Sequence, residues 1–348
     1  MHKTPAYAAT VAKAPLAPFT IERRDPRPDE VLIDILYCGV CHSDIHQARG
    51  DWGGEIFPMV PGHEIVGKVV KAGGEVKKWK LGDTVGVGCF VGSCRECEAC
   101  RAGDEQFCER GGPSFTYNSY EQDRKTPTYG GYSTRITVDE NYVLRIPEGM
   151  PLAGAAPLLC AGVTTYAPLV RFAVKAGQRV AVVGLGGLGH MGVKIAKALG
   201  ADVTVLSHSP SKQDGALKLG ANDFVATRDE QVFQKLAGRF DFILDTVSAN
   251  HDYNAYLGLL RRNGTMVLVG LPGPLPLTAF ALILNRRQLA GSMIGGIGET
   301  QEMLDFCAQR HLASDVELIP MQQINEAYER TVKGEVRYRF VIDLASLK

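Results

Sequence analysis

Apolar residues follow two regimes along this chain. Up to about residue 150 they come in short runs, such as Val31-Leu-Ile-Asp-Ile-Leu36 and Ile65 to Lys71, divided by Gly and Pro. Helical periodicity is weak there, so the pattern predicts a β-rich region of short strands. Residues 111–132, with Gly-Gly-Pro-Ser, Tyr-Asn-Ser-Tyr and Gly130-Gly131, read as loop. Beyond residue 155 the spacing lengthens. Arg179-Val-Ala-Val-Val183 is a continuous strand-like run, a helical period extends to Leu199, and a second strand is expected at Asp202–Leu206. Further strands fit at Phe240–Asp245, Thr265–Val269 and Gln288–Gly291, with helix-length segments between them. Strand–helix alternation predicts an α/β, doubly wound parallel sheet. The expected division is residues 1–154, residues 155–294 and a tail, residues 295–348.

Between the first strand and first helix of the α/β region stands Gly184-Leu-Gly186-Gly187-Leu188-Gly189. Glycine at 184 permits a tight turn, at 186 a close approach of backbone to a pyrophosphate, and at 189 close helix–strand packing. A bare GxGxxG is a weak signal; flanked by strand and helix it marks a Rossmann dinucleotide-binding loop. NAD-binding loops of this kind place Asp or Glu at the end of the second strand to hold the ribose 2′-hydroxyl. Here that strand runs into Ser207-His208-Ser209-Pro210-Ser211-Lys212 and carries no acid. Hydroxyls at Ser207 and Ser209, with Lys212 and His208, suit a 2′-phosphate. A polar loop opening a helix explains the serines as caps, but not the missing acid.

Composition narrows the class without deciding it. The 348 residues balance 38 Lys+Arg against 38 Asp+Glu, so no field favours nucleic acid or an anionic membrane. Hydrophobic content of 45% with 22% charged residues is that of a globular protein. The first twenty residues hold Lys3, Lys13 and three prolines, and no uninterrupted apolar core, so a signal peptide is not expected. No window approaches membrane-spanning length. Nine cysteines, four of them clustered, read as metal ligands in a reducing cytoplasm rather than as a disulfide framework.

Cys94-x₂-Cys97-x₂-Cys100-x₇-Cys108 is the strongest local signal. An iron–sulfur run would bring its fourth cysteine sooner and follow it with Pro, whereas Glu109 follows Cys108. Four thiolates around Zn²⁺ make a closed, net-negative and weakly electrophilic site, hence a structural one. A second set is dispersed: Cys41 in Cys-Gly-Val-Cys-His-Ser-Asp, His63 in Gly-His-Glu-Ile-Val-Gly, and Cys160 in Leu-Leu-Cys-Ala-Gly. Two thiolates and one imidazole suit zinc, carry no net charge with it, and leave a position open for chemistry. Asp83 reads either as a turn acid or as a carboxylate that fixes the tautomer of a ligating His. Cys38, Cys89 and Cys307 read as small core residues.

Gly-His-Glu-x-x-Gly, the preceding Cys-His-Ser-Asp and the cysteine quartet resemble the zinc-dependent alcohol dehydrogenases of the medium-chain dehydrogenase/reductase superfamily, for which a Cys₂His catalytic zinc is on record. The branch most resembled is the cinnamyl alcohol dehydrogenase-like aldehyde reductases. The resemblance implies a GroES-like catalytic domain over residues 1–154 with both zinc sites, completed by the tail 295–348, and a Rossmann NADP-binding domain over residues 155–294. It implies that Ser43 hydrogen-bonds the substrate oxygen, that His46 passes the proton to solvent by way of the cofactor ribose, and that His42 lies near the pyrophosphate. Glu64 is expected to approach the catalytic metal; read without the resemblance, it is an interior salt-bridge partner. Thr164 is expected among the cofactor contacts, Val269, Gly270, Ser292 and Ile294 against the nicotinamide, and Arg339 on the pyrophosphate, where the alternative is a surface arginine. Phe115 and Trp52 read either as aromatic walls of the substrate pocket or as packing. The branch uses NADP(H), as the Ser-rich loop suggests, and its members are commonly dimers.

The expectation is an NADP(H)- and zinc-dependent alcohol dehydrogenase, working mainly as an aldehyde reductase on a broad range that includes aromatic aldehydes. The alternatives are a polyol or sugar dehydrogenase on the same fold, and a non-catalytic NADP-binding protein. The intact Cys41, His63, Cys160, Ser43 and His46 weigh against the last.

Overall fold

The computed structural model describes residues 2–229 and 231–347. They form two compact units, one of Met1–Cys160 with Gly295–Lys348 and one of Ala161–Ile294. The first unit runs six residues past the boundary expected from the sequence and takes Cys160 with it.

The second unit is built on a six-stranded parallel sheet in the order Asp223–Ala226, Asp202–Ser207, Arg179–Val183, Phe240–Asp245, Leu260–Leu268, Gln288–Gly291. The order reverses beside the first strand, as in doubly wound folds. The apolar run that announced that strand is buried throughout, Val180 to Val183 at 0–2% exposure. Burying each such valine contributes roughly 1.5–3 kcal/mol as an upper figure. Two features escaped the sequence pattern. Asp223–Ala226 is a four-residue edge strand, half-buried along its length, too short to show a period. The strand expected from Thr265 begins at Leu260, because Arg261-Arg262-Asn263 extends it with exposed polar residues.

The first unit centres on the ten-residue strand Glu30–Gly39. Its first half pairs with Arg135–Asp139 and its last residues with Arg339–Asp343, both antiparallel; along its other edge lies Ile65–Ala72. Register brings Gly39 opposite Val341 and Cys38 opposite Ile65. Three chain segments far apart in sequence thus end side by side: the one leading to Cys41, the one following His63 and Glu64, and the one starting at Arg339. The backbone ties them, Gly39 N–H donating to Glu64 O and Val40 N–H to Phe340 O, each at 2.9 Å. Among the described residues, no single helix is long and apolar enough to cross a membrane.

Candidate active site

The convergence of strand ends assembles the dispersed metal set. One ligand atom each from Cys41, His63, Glu64 and Cys160 lies within 4.8 Å of the others, and all four residues are buried. Cys41 precedes the helix His42–Arg49, whose first turn carries Asp44. Asp44 is fully buried and ties this corner together: its carboxylate accepts from Cys41 N–H at 2.9 Å, Gly62 N–H at 3.0 Å, His63 Nδ1 at 3.1 Å and Tyr132 O–H at 3.4 Å. With Nδ1 held by a carboxylate, His63 is left with Nε2 as its ligand atom. Asp83 is not that carboxylate. It is half-buried and accepts from the N–H of Lys80 at 2.9 Å, a turn acid. The sequence placed Asp44 inside a quoted motif without assigning it this role. Its position three residues after Cys41, on the first helical turn, was the available signal.

Charge in the site is balanced by buried partners. Burial alone lowers the proton affinity of His63; the Asp44 carboxylate outweighs it and holds the ring well above the usual imidazole range. A hydrogen bond from the Cys160 thiol holds Cys41 well below the ordinary thiol range, and the same contact pushes Cys160 up. Two thiols sharing a proton beside an electron-rich imidazole are a donor set for a soft dication, which takes the place of those protons. Glu64 and Arg339 form a buried ion pair, 0% and 4% exposed. Burial raises the Glu64 carboxyl to about 7 against the pull of Arg339. Oε1 serves that pair, Oε2 is buried with no hydrogen-bond partner, and one carboxylate oxygen lies in the four-residue cluster. Glu64 is thus an interior salt-bridge partner, and it lies with Cys41, His63 and Cys160. Arg339 is not a surface arginine; one terminal nitrogen of its guanidinium bonds Glu64, and its Nε is buried without a hydrogen-bond partner.

Ser43 Oγ lies 3.6 Å from Cys41 Sγ. On the same helix His46 bonds Asp51 Oδ2 through Nδ1 at 2.8 Å and stacks on Trp52 with ring centroids 5.3 Å apart. His42 is exposed, its ring 6.3 Å from that of His46. Trp52 and Phe115 are 45% and 39% exposed, so neither is core packing. Tyr117, two residues beyond Phe115, stacks on His63 at 5.8 Å and was missed. Cys38 and Cys307 are fully buried, as expected, but Cys89 is half-buried and its thiol donates to the Leu159 carbonyl at 3.7 Å, next to Cys160 in sequence.

The four sulfurs of Cys94, Cys97, Cys100 and Cys108 also lie within 4.8 Å of one another. Their support is local. N–H groups of Cys94, Glu96, Cys97 and Glu109 donate to Cys108, Cys94, Cys94 and Cys97 sulfurs, each at 3.4 Å. The donation from Glu96 lowers Cys94 to about 6, which favours a thiolate there, while burial pushes Cys100 up to about 12.

In the second unit the glycine loop has the expected anatomy. Gly184 sits at φ 86°, and a Cβ on Gly189 would come within 2.2 Å of the Gly184 carbonyl oxygen. A Cβ on Gly186 would meet nothing within 4 Å, so that residue faces open space, as a pyrophosphate cradle requires. Gly187 carbonyl caps the His190 ring at 2.8 Å, and Leu188 precedes the helix Gly189–Ala198. Thr164 Oγ1 is buried without a hydrogen-bond partner. Ser207 is buried, its Oγ accepting from Ser209 N–H at 3.4 Å; His208 is exposed; Lys212 Nζ donates to the Leu185 carbonyl at 2.9 Å, which brings it to the glycine loop. These residues fit a dinucleotide with an extra phosphate. Val269 N–H bonds the Asp245 carbonyl, Gly270 packs on the Val247 carbonyl, and Ser292 N–H bonds the Leu268 carbonyl at 3.1 Å. Ile294 is held at φ 42°, a strained conformation for a β-branched residue.

Comparison with known proteins agrees with this anatomy. Residues 27–148 match the family described as alcohol dehydrogenase GroES-like domain, and residues 187–309 match zinc-binding dehydrogenase. The chain is 58% identical over 349 residues to NADP-dependent alcohol dehydrogenase C 1 of Mycolicibacterium smegmatis, covering all of both chains. It is 51% identical to aldehyde reductase YahK of Escherichia coli over 348 residues, 99% of each. A solved cinnamyl alcohol dehydrogenase from Sorghum bicolor superposes with a TM-score of 0.97 at 45% identity, covering 100% of this chain and 99% of that one. The chain belongs to the zinc-binding alcohol dehydrogenases of the medium-chain dehydrogenase/reductase superfamily.

Proposed function

We propose that this chain interconverts primary alcohols and aldehydes with NADP(H), working mainly as a reductase of a broad range of aldehydes, aromatic ones included. The observation that carries the reading is the buried Cys41/His63/Cys160 cluster with Glu64, whose Oε2 is unpartnered, beside it. When bound, zinc supplies a Lewis acid for the substrate oxygen and NADP(H) supplies or accepts the hydride. The chain's own residues do the rest. Cys41, His63 and Cys160 hold the catalytic zinc, and Asp44 fixes the His63 ring. Ser43, close to Cys41, orients the substrate oxygen through its hydroxyl. His46 carries the proton to solvent; Asp51 holds its Nδ1 and leaves Nε2 to exchange protons. Trp52 and Phe115 offer aromatic surface for an aromatic substrate. Cys94, Cys97, Cys100 and Cys108 hold a second, structural zinc. Ser207, Ser209 and Lys212, with no acid among them, select the 2′-phosphate.

The chain is further proposed to work in the cytoplasm as a homodimer. None of the nine cysteines is in a disulfide. Leu271, Phe280, Ile283 and Leu284, 63–68% exposed, lie on the segment that runs into the edge strand Gln288–Gly291. An apolar face next to an open edge suits pairing with a second copy. Light scattering should give about twice the 37.7 kDa chain mass. The reaction is tested with aromatic aldehydes, short aliphatic aldehydes and sugar alcohols, each with NADPH or NADP⁺ and with NADH or NAD⁺. Turnover of aldehydes with NADPH is the expected result; preference for sugar alcohols, or for NADH, would reject the reading.

A further inference from the structure

The loop after the second strand is not the whole of the polar surface at that edge of the sheet. The third strand, Asp223–Ala226, runs parallel to Asp202–Ser207, with Ala226 opposite Ser207 and Thr227 N–H donating to the Ser207 carbonyl at 3.0 Å. Arg228 therefore emerges at the carboxyl end of the sheet directly beside Ser207, although 21 residues separate them. Ligands of open α/β sheets bind at that end of the strands.

Arg228 is exposed, and its Nε donates to His208 Nδ1 at 3.4 Å. The contact fixes two things. It holds the guanidinium over the loop that carries Ser207, His208 and Ser209. It also requires His208 Nδ1 to be unprotonated, so the ring carries its proton on Nε2 and donates from there. Among the described residues no carboxylate pairs with Arg228, and the two terminal amino groups of its fork have no hydrogen-bond partner. An exposed guanidinium needs no partner in water. One anchored by Nε to the loop that carries Ser207 and Ser209, with the rest of its fork open, is arranged for a doubly charged oxyanion.

We propose that Arg228 is a binding residue for the adenosine 2′-phosphate of NADP(H), closing from the third strand a site that Ser207, Ser209 and Lys212 begin from the second. The inference rests on the NADP(H) reading above. It adds a specificity-determining residue outside the Ser-rich loop and gives His208 a defined role as an Nε2–H donor oriented by Arg228.

The test is calorimetric titration of the zinc-loaded protein with 2′,5′-ADP and with 5′-AMP, which differ only in the 2′-phosphate. Wild type should bind 2′,5′-ADP more tightly. Arg228→Ala should weaken 2′,5′-ADP binding about tenfold or more and change 5′-AMP binding by less than about twofold, since only charge-assisted bonds to the phosphate are lost. Arg228→Lys should recover part of the loss by restoring charge without the fork. The Arg228→Ala variant should also show a shallower dependence of 2′,5′-ADP affinity on salt. If Arg228→Ala binds 2′,5′-ADP as wild type does while the preference over 5′-AMP persists, this proposal is wrong and the NADP(H) reading stands. If wild type has no preference between the two nucleotides, the NADP(H) reading falls and this proposal with it.

Discussion

The two cysteine-containing clusters use the same chemistry and are held in different ways. The Cys94/Cys97/Cys100/Cys108 cluster spans 15 residues of one segment, and most of its hydrogen bonds come from that segment's own backbone, with Cys100 also bonding Ser93 Oγ at 3.2 Å. The Cys41/His63/Cys160 cluster is delivered by segments flanking the strands of a large sheet and by the 3-10 turn Ala156–Leu159, which ends at Cys160, and it is fixed by the buried charges of Asp44 and the Glu64–Arg339 pair. A loop that organises mainly around its sulfurs depends on metal for its fold. A site organised by a sheet keeps its geometry and depends on metal only for its chemistry. The difference explains why the closed cluster is structural and the open one catalytic, beyond the count of ligands.

Substitutions separate the two clusters, beginning with the largest effect. Cys100→Ala should lose the structural zinc and unfold the loop around residues 94–108. The loss is expected to reach several kcal/mol or outright aggregation, because structural zinc contributes folding free energy directly. Thermal unfolding and zinc content together measure it. Glu64→Ala leaves Arg339 buried and unpaired, at a cost of about 3–5 kcal/mol, whereas Glu64→Gln, which keeps a hydrogen-bond acceptor, should cost less. A denaturant titration of both variants tests whether that pair braces the sheet side of the catalytic cluster. An equal, small effect in the two would remove the pair from the account.

Two smaller effects act mainly on chemistry. His46→Ala should slow alcohol oxidation by about 10²-fold. The slowing should be worst at low and neutral pH, where a base is most needed, and added imidazole should restore part of the rate. An unchanged pH–rate profile would take His46 out of the proton path. Asp44→Asn keeps one acceptor oxygen where Cys41 N–H uses Oδ2 and Gly62 N–H uses Oδ1, so it loses one of those two bonds together with the charge behind His63. Zinc affinity at the catalytic cluster should fall about 10–100-fold with the structural zinc retained, as competition with a graded chelator would show.

How far the sequence could be read follows the same contrast. The cysteine quartet and the glycine loop are contiguous, so spacing alone exposed them, and the buried run at Val180–Val183 exposed the first strand of the parallel sheet. What escaped depends on strand register. The Glu64–Arg339 pair joins residues 275 apart. Asp44 became the His63 partner only once Gly62 and Cys41 were brought to the same carboxylate, while Asp83, the nearer-looking candidate in Gly82-Asp83-Thr84, serves a turn. Arg228 lay hidden behind the short edge strand that the hydrophobic pattern did not reveal. The Rossmann and β-rich architectures needed only local periodicity; the partners of individual site residues needed the topology.

The division of roles between the clusters is tested most directly by Cys160→Ala, assayed for bound zinc, thermal unfolding and turnover in one preparation. The account predicts one zinc per chain where wild type holds two, an unfolding midpoint close to wild type, and turnover abolished. A midpoint lowered as far as that of Cys100→Ala, or turnover surviving with one zinc bound, would contradict it.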